Sequence, residues 1–128
     1  MNDWGYGIPS IPEREEQKGA LGVFSEAYAA MLEKLRKNYP EAELWCFTLP
    51  KGKHVDGSDF PYYYGGRHIE EYCNVIINCA KRFDCRAVDL YHFSEPYGSL
   101  DRFHPNEEGM KTISHAVILQ IEKEMQSI

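Results

Sequence analysis

An aspartate and a histidine with the spacing of a catalytic pair lie near the C-terminal end of the chain. Asp101 precedes His104, and Pro105 and Asn106 follow the histidine directly. A carboxylate held beside an imidazole accepts its Nδ1 proton and fixes its tautomer, which leaves Nε2 to act as a base toward a hydroxyl group. The spacing therefore predicts a carboxylate–imidazole pair. The structural alternative is that Asp101 caps a turn and His104 lies on the surface.

Three stretches have the apolar spacing of amphipathic helices. The first covers about residues 20 to 37, and Asn38 and Pro40 favour its end there. Pro105 suits the first turn of the third helix. The residues expected on the buried faces are Phe24, Tyr28, Met31 and Leu35 in the first helix, Ile69, Tyr72, Ile76, Ala80 and Phe83 in the second, and Met110, Ile113, Val117 and Ile121 in the third.

Two short apolar segments between these helices are typical of strands buried in a parallel sheet. They are residues 42–49, which Pro50 closes, and residues 86–91. The alternation of helix and strand predicts an α/β fold with right-handed crossovers. Two strands cannot form a sheet that three helices cover on both faces. Either further strands escape the pattern, or the chain supplies only part of a domain, which is the interpretation we favour.

The remaining segments have no helical or strand period and are predicted to be loops. Residues 1–19 mix glycine, proline and charge, residues 51–67 are rich in glycine and tyrosine, and residues 92–104 precede the third helix. A loop that follows a parallel strand often shapes a binding site. Tyr62, Tyr63 and Tyr64 are therefore candidates to line a pocket, although exposed loop aromatics or contacts with another part of the domain explain them equally well.

Two blocks of the sequence resemble those of the SGNH (GDSL-type) hydrolases. Residues 101–106, Asp-Arg-Phe-His-Pro-Asn, resemble the family's Asp-x-x-His-Pro-Asn block. Asn2 and Asp3 resemble the end of its Gly-x-Asn-Asp block, with Met1 at the x position and the glycine lost. The blocks lie about 100 residues apart in the family's order, with the predicted helices and strands between them. The resemblance thus covers essentially the whole chain.

The resemblance implies a fold and a reaction. It implies that residues 1–128 form one partial domain, the C-terminal half of a three-layer α/β/α sandwich of SGNH or flavodoxin-like type, whose parallel sheet lacks its N-terminal strands. In such enzymes a serine attacks an ester carbonyl, so the matching positions assign proton transfer to His104, its orientation to Asp101 and oxyanion stabilisation to Asn2. No metal or organic cofactor is implied. Trp4 and Tyr6, which follow Asn2, become the better candidates for substrate contact, ahead of Tyr62 and Tyr63.

The departures from the family pattern put activity in doubt. The sequence contains no Gly-Asp-Ser block and no glycine block that would complete an oxyanion hole. Ser58 and Ser99 follow glycines but are expected in turns after the wrong strands. Without a nucleophile His104 has nothing to activate. The competing interpretation is therefore an inactive fragment that acts only as an oligomerising or interaction module. His54, His68, His92 and His115 match no block, although His92 follows the last strand and could lie near the site.

Composition limits the partners. The chain has 128 residues and a net charge of -6 with no basic run, which disfavours nucleic acid, and no apolar run is long enough for a membrane span. No pattern of a secretion signal is visible, and the four cysteines are expected to be core thiols, so we expect a reducing, cytoplasmic location. The expected partners are a small ester, such as an acetylated carbohydrate or a lipid, and a second copy or another chain that completes the sheet.

Overall fold

In a computed structural model of the protein, the structure describes residues 6–54, 63–64, 67–93, 95–99 and 104–126. Helices and strands alternate along these residues, which confirms the α/β class. The elements in chain order are α1 (Phe24–Asn38), β1 (Trp45–Phe47), β2 (Gly52–His54), β3 (Tyr63–Tyr64), β4 (Arg67–His68), α2 (Ile69–Arg82), β5 (Arg86–Val88), α3 (Leu90–Phe93), β6 (Tyr97–Ser99) and α4 (Glu107–Gln126).

The two strands expected from the sequence, β1 and β5, are parallel neighbours. Trp45 lies opposite Arg86 and Phe47 opposite Val88. Side chains alternate between the faces of a strand. Cys46 therefore points to one face of β1 while Trp45 and Phe47 point to the other, and each face meets a different layer of helices.

Helices cover both faces of this sheet. On the Cys46 face, α1 and α2 bury a core that includes Leu32, Ile76 and Ala80. On the opposite face, Val88 and Leu90 pack with Ala116 of α4, and Trp45 and Phe47 lie against the same cluster. The described chain is thus a small three-layer α/β/α sandwich, as the resemblance implies.

Two buried-face assignments within the helices are wrong. In α1, Met31 is exposed, and Ala29 and Leu32 are the buried residues. In α4, Met110 is exposed, and Gly109 and Ala116 are buried instead. An apolar side chain at helical spacing faces the core only if the helix meets its neighbour at that position. These two methionines lie at the border of the packed face, where their flexible side chains remain in solvent.

The last predicted strand is shorter than expected, and its end is helical. β5 stops at Val88, and Leu90 and Tyr91 belong to the short helix α3. The cause is local, because Asp89 caps this turn: its Oδ1 accepts a 3.1 Å hydrogen bond from the amide of His92. The prediction of a strand over residues 86–91 is therefore correct only for its first half.

Four further strands lie wholly or partly in segments predicted to be loops, namely β2, β3, β4 and β6. β2 pairs with β6 in parallel, with Gly52 opposite Tyr97 and His54 opposite Ser99. Gly98 and Ser99 were expected in a turn and instead lie in β6. Glycine has low intrinsic strand propensity, so only pairing between distant segments reveals these strands. Further strands therefore do escape the sequence pattern, which is the first of the two explanations given above for finding only two strands.

Residues 6–19, the described part of the predicted N-terminal loop, are irregular as expected apart from one 3₁₀ turn at Glu15–Gln17. They are nevertheless attached to the body of the domain. The Tyr72 hydroxyl donates to the carbonyl of Ile8, and Arg67 Nε donates to the carbonyl of Gly7 over 3.2 Å. Residues 6–10 therefore lie against the start of α2 rather than in open solvent.

All four cysteines are free thiols. Cys46, Cys73 and Cys79 are buried and Cys85 is partly buried, in keeping with the expected core positions. Burial raises the pKa of Cys73 to about 11 and also raises the pKa values of Cys46 and Cys79. Buried thiols of this kind are poor nucleophiles near neutral pH. Within the described residues, no helix is long and apolar enough to cross a membrane.

Candidate functional site

His104 lies shortly before α4, and the two residues that follow it are attached to β6. The residue itself is exposed. Pro105, the next residue, forms an antiparallel bridge with Ser99 at the end of β6. The amide of Asn106 donates to the carbonyl of Gly98 over 2.9 Å. The backbone on the C-terminal side of His104 is therefore held by two contacts to one strand.

Asn106 begins the helix that follows. Its Oδ1 accepts a 2.8 Å hydrogen bond from the amide of Gly109, which is the usual role of an asparagine at the N-cap. Pro105 consequently precedes the helix, and its predicted place in the first turn is wrong: α4 starts at Glu107. The Pro-Asn part of the block thus has a structural role that the sequence analysis did not assign.

A close approach between α4 and β6 holds the turn in place. A Cβ atom added to Gly109 would lie 2.0 Å from the carbonyl oxygen of Gly98, and one added to Gly98 would lie 2.9 Å from Asn106 Oδ1. No side chain fits at Gly109, because the first turn of α4 lies directly on the backbone of the strand, whereas a side chain at Gly98 would require the Asn106 side chain to move. These two glycines set the distance between the His104 turn and β6.

Several predicted site residues lie outside the described part of the chain. These are Asp101, Asn2, Trp4 and Tyr62. The pairing of Asp101 with His104 and the oxyanion role of Asn2 therefore stay predictions. Tyr63 belongs to β3, and only its backbone is described. Tyr6 is described and is 84% exposed, so its ring is available to solvent.

A second Asp-x-x-His pair, which the sequence analysis missed, is formed in the described residues. Asp89 Oδ2 lies 2.7 Å from His92 Nδ1. Thr48 Oγ1 donates to Asp89 Oδ1 over 3.1 Å and accepts a 3.0 Å bond from the amide of Tyr91. The carboxylate is thus oriented from two sides. This is the geometry that the sequence predicted for Asp101 and His104.

The other ring nitrogen of His92 also meets a carboxylate. Nε2 lies 3.0 Å from Oε1 of Glu70 in the first turn of α2. The hydrogen bonds to Glu70 and Asp89 raise the pKa of His92. Because Glu70 occupies Nε2, this imidazole is not a free base, unlike the one expected in a catalytic pair.

The Asp89–His92 pair lies at the end of the sheet where open α/β folds bind ligands. Thr48 directly follows β1 and Asp89 directly follows β5, so both residues lie at the carboxyl ends of parallel strands. The sequence contains a signal for this end of the sheet, because a polar residue, Thr48 or Asp89, follows the apolar centre of each predicted strand. The spacing of Asp89 and His92, identical to that of the recognised block, is a second signal.

The other candidate residues have structural or surface positions. The Nδ1 atom of His68 accepts a 3.0 Å bond from the amide of Glu70 and caps α2. His115 is exposed on α4, and the side chain of His54 is not described. Ser99 is fully buried, which argues against a nucleophile there, and Ser58 lies outside the described residues.

A cleft of about 650 Å³ opens at the opposite end of the sheet, beside Leu44 and Arg86. The Arg36 guanidinium lines it and donates to the carbonyls of Ala42 (2.7 Å), Phe83 (3.2 Å) and Asp84 (2.9 Å). Its donors thus bind the protein's own backbone, so Arg36 has a structural role there. Among the residues the structure describes, no group of three or more histidine, cysteine, aspartate or glutamate side chains is placed to hold a metal ion.

Comparison with known structures supports the fold. A crystal structure of a Lactobacillus plantarum protein matches with a TM-score of 0.74 at 19% identity, over 95% of this chain and 62% of that one. The crystal structure of a possible lipase from Chitinophaga pinensis matches with a TM-score of 0.56 at 22% identity, over 72% of this chain and 39% of that one. A third crystal structure matches with a TM-score of 0.72 at 20% identity. The chain therefore spans less than two thirds of the length of these proteins.

Sequence comparison identifies the family. No curated protein sequence matches the chain. The model of the GDSL-like lipase/acylhydrolase family, however, matches residues 1–112, which include both the Asn2 block and the His104 block. This match covers most of the chain and agrees with the three-layer fold. The chain belongs to the GDSL-like lipase/acylhydrolase family.

Proposed function

We propose that this chain supplies the acid–base half of a serine ester hydrolase of the SGNH kind. The observation that carries the proposal is the family match over residues 1–112, which extends through the Asp101–His104 block. In this proposal His104 takes the proton of a serine hydroxyl and returns it to the leaving alcohol. Asp101 orients His104, and Asn2 donates to the oxyanion of the tetrahedral intermediate.

The described geometry supports a positioning role for the turn that carries His104. A general base must be held within hydrogen-bond reach of the proton it takes. The Ser99–Pro105 bridge and the bond from Asn106 to Gly98 fix the backbone beside an exposed imidazole. An exposed side chain on a fixed turn suits a residue that must meet a group from another part of the enzyme.

In this proposal the nucleophile comes from outside these 128 residues. The sequence has no Gly-Asp-Ser block, and the serine of β6 is buried. The chain spans 60–62% of the two structures that match it over most of its length. We therefore propose that activity requires a serine-bearing segment, either joined to this chain or bound to it. The proposed substrate is a small ester, such as an acetylated carbohydrate or a lipid.

The alternative is an inactive module that folds and associates but catalyses nothing. It is favoured by the same missing serine, since the Asp101–His104 pair would then remain without a reactant. The two proposals differ in one measurable respect. Only the hydrolase proposal requires His104 to matter when a serine is provided.

The test is a fusion of the serine-bearing half of a structurally similar GDSL-type protein to residue 1 of this chain. We expect the fusion to hydrolyse p-nitrophenyl acetate and to become acylated by a fluorophosphonate probe. His104→Ala is expected to lower the rate by roughly 10²–10⁴, the usual contribution of a positioned general base. Asp101→Asn is expected to lower it as well, because the imidazole loses its orientation.

The matched control is His115→Ala in the same fusion, since His115 is exposed on α4 and has no proposed role. Its rate should equal that of the unmodified fusion. A folded fusion, with a circular dichroism spectrum typical of α/β proteins, that does not hydrolyse the ester would favour the inactive module. A fusion whose activity is unaffected by His104→Ala would contradict the proposed role of His104.

A further inference from the structure

The His92 ring lies between two carboxylates that belong to different parts of the fold. Asp89 Oδ2 is 2.7 Å from Nδ1, and Glu70 Oε1 is 3.0 Å from Nε2. Asp89 follows β5, whereas Glu70 lies in the first turn of α2. The imidazole is therefore the bridge between these two elements.

The number of protons on the His92 ring determines whether its contacts with Asp89 and Glu70 can both be hydrogen bonds. A carboxylate at neutral pH only accepts hydrogen bonds, and a neutral imidazole has a single N–H. Neutral His92 can therefore donate to Asp89 or to Glu70, while its other nitrogen faces an oxygen with no proton between them. Only the imidazolium form donates to both. The two distances together thus describe the protonated ring.

The surroundings of His92 contain few competing charges. The Tyr91 ring packs edge-on against the His92 ring, with 4.9 Å between the ring centroids. The ring of Phe93, the next residue along the chain, lies 6.4 Å from the His92 ring by the same measure. Lys51, from the segment after β1, lies over the Tyr91 ring, and Lys123 of α4 lies over the Phe93 ring. Both lysines thus lie over aromatic rings, and among the described residues the charged groups in contact with the imidazole itself are Glu70 and Asp89.

We propose that His92 is a protonation-dependent clasp that joins the first turn of α2 to the β5–α3 junction and loosens when the ring loses a proton. Opening would free Glu70 first, because Asp89 is also held by Thr48 and by the amide of His92. The junction leads directly into β6, the strand that holds the His104 turn. The clasp does not depend on the proposed esterase activity, since Glu70, Asp89 and His92 have no role in that proposal.

The direction of the pH effect follows from the carboxylate contacts. They favour the charged ring and raise its pKa above the ordinary value of about 6.5. Stabilisation by the clasp is therefore complete below that ordinary value and is lost as the pH rises through the pKa of the folded protein. The ring is 37% exposed, so salt should weaken the effect.

The test is an NMR titration of the His92 ring nitrogens in the full chain. We expect a midpoint above about 6.5, the value for a histidine without partners. Glu70→Gln and Asp89→Asn should each lower the midpoint, and added salt should lower it in the unmodified chain. The protection factors of the amides of residues 69–72 and 90–93, which are exchange rates corrected for the intrinsic pH dependence of amide exchange, should fall through the same midpoint.

His115→Gln is the matched control, because it removes an exposed histidine on α4 without touching the clasp. Glu70 is 45% exposed, so its replacement should leave the fold intact, and circular dichroism checks this. The proposal is overturned by a midpoint at or below the ordinary value. It is also overturned by protection factors in the two segments that do not follow the titration of His92.

Discussion

The Ser10 hydroxyl donates a 2.9 Å hydrogen bond to Oε1 of Glu71, and the same carboxylate accepts a 3.0 Å bond from the amide of His68 through Oε2. Glu71 therefore does two things: it completes the capping of α2 and it attaches the N-terminal loop to that helix. Ser10 is almost fully buried at this contact. A loop without regular structure is thus held at a defined place.

Replacing Ser10 with alanine should destabilise the protein by about 1–3 kcal/mol, because a buried hydrogen bond to a charged group is lost. The measurement is the free energy of unfolding from urea denaturation. Ser114→Ala is the control, since Ser114 is exposed on α4, and it should change the free energy by less than about 0.5 kcal/mol. Equal stabilities of the two variants would show that the Ser10–Glu71 bond contributes nothing.

Gly109→Ala tests the contact between α4 and β6. A Cβ atom would lie 2.0 Å from the Gly98 carbonyl oxygen, so the helix must move away from the strand. We expect a net loss of about 1–3 kcal/mol from overpacking, even though alanine favours the helix by about 1 kcal/mol. Gly22→Ala is the control, because its Cβ would meet nothing within 4 Å. A variant as stable as Gly22→Ala would contradict the close approach.

The three long helices of the described fold are predictable from the sequence, whereas the short helix α3 and one of the two parallel strand pairs are not. The periodicity of Ile69, Tyr72, Ile76 and Ala80 identifies α2 within a residue or two, because one face of the helix is buried along its whole length. β2 and β6 have no such pattern. A glycine suits position 98 of β6 because α4 packs directly onto the strand there. This contact depends on tertiary structure, which a local sequence pattern does not contain.

For the candidate site, the sequence indicates one Asp-x-x-His block, while the pair that the structure describes is the other one. The spacing of Asp101 and His104 indicates the block. Asp89 and His92 have the same spacing but match no family block, so the sequence alone does not single them out. The position of Asp89 in the fold explains why this pair matters. Asp89 directly follows the buried strand β5, so its carboxylate lies at the carboxyl end of the sheet. The contact with Glu70 could not be foreseen, since it depends on how α2 packs beside β5.

Thiol reactivity should separate the four cysteines. At pH 8 the folded chain should react quickly with Ellman's reagent at Cys85 alone, because Cys46, Cys73 and Cys79 are buried and their pKa values are raised. Cys85→Ser should remove the fast phase, and Cys79→Ser should leave it unchanged. All four thiols should react in denaturant. A fast phase that persists in Cys85→Ser would contradict this ranking.

The outer edge of β1 should pair with a second copy of the chain. Among the described residues β1 pairs only with β5, to which Leu44 and Thr48 direct their backbone hydrogen bonds. Backbone groups alternate in direction along a strand, so those of Trp45 and Phe47 point to the opposite edge. Such an edge favours pairing with another strand. We expect a two-fold dimer in which the β1 strands are antiparallel and form one continuous sheet.

Sedimentation velocity at micromolar concentration measures this, and Phe47 provides a matched pair of variants. Phe47→Pro removes the outward N–H and should give a monomer, because proline cannot donate to a ladder. Phe47→Ala also loses the side chain from the core but keeps the N–H, so it should remain a dimer if it folds. A dimer that survives in Phe47→Pro would point to a swapped helix or another surface. A stable monomer of the unmodified chain would contradict the expectation, and it would leave the β1 edge available for a chain that carries the serine-bearing half.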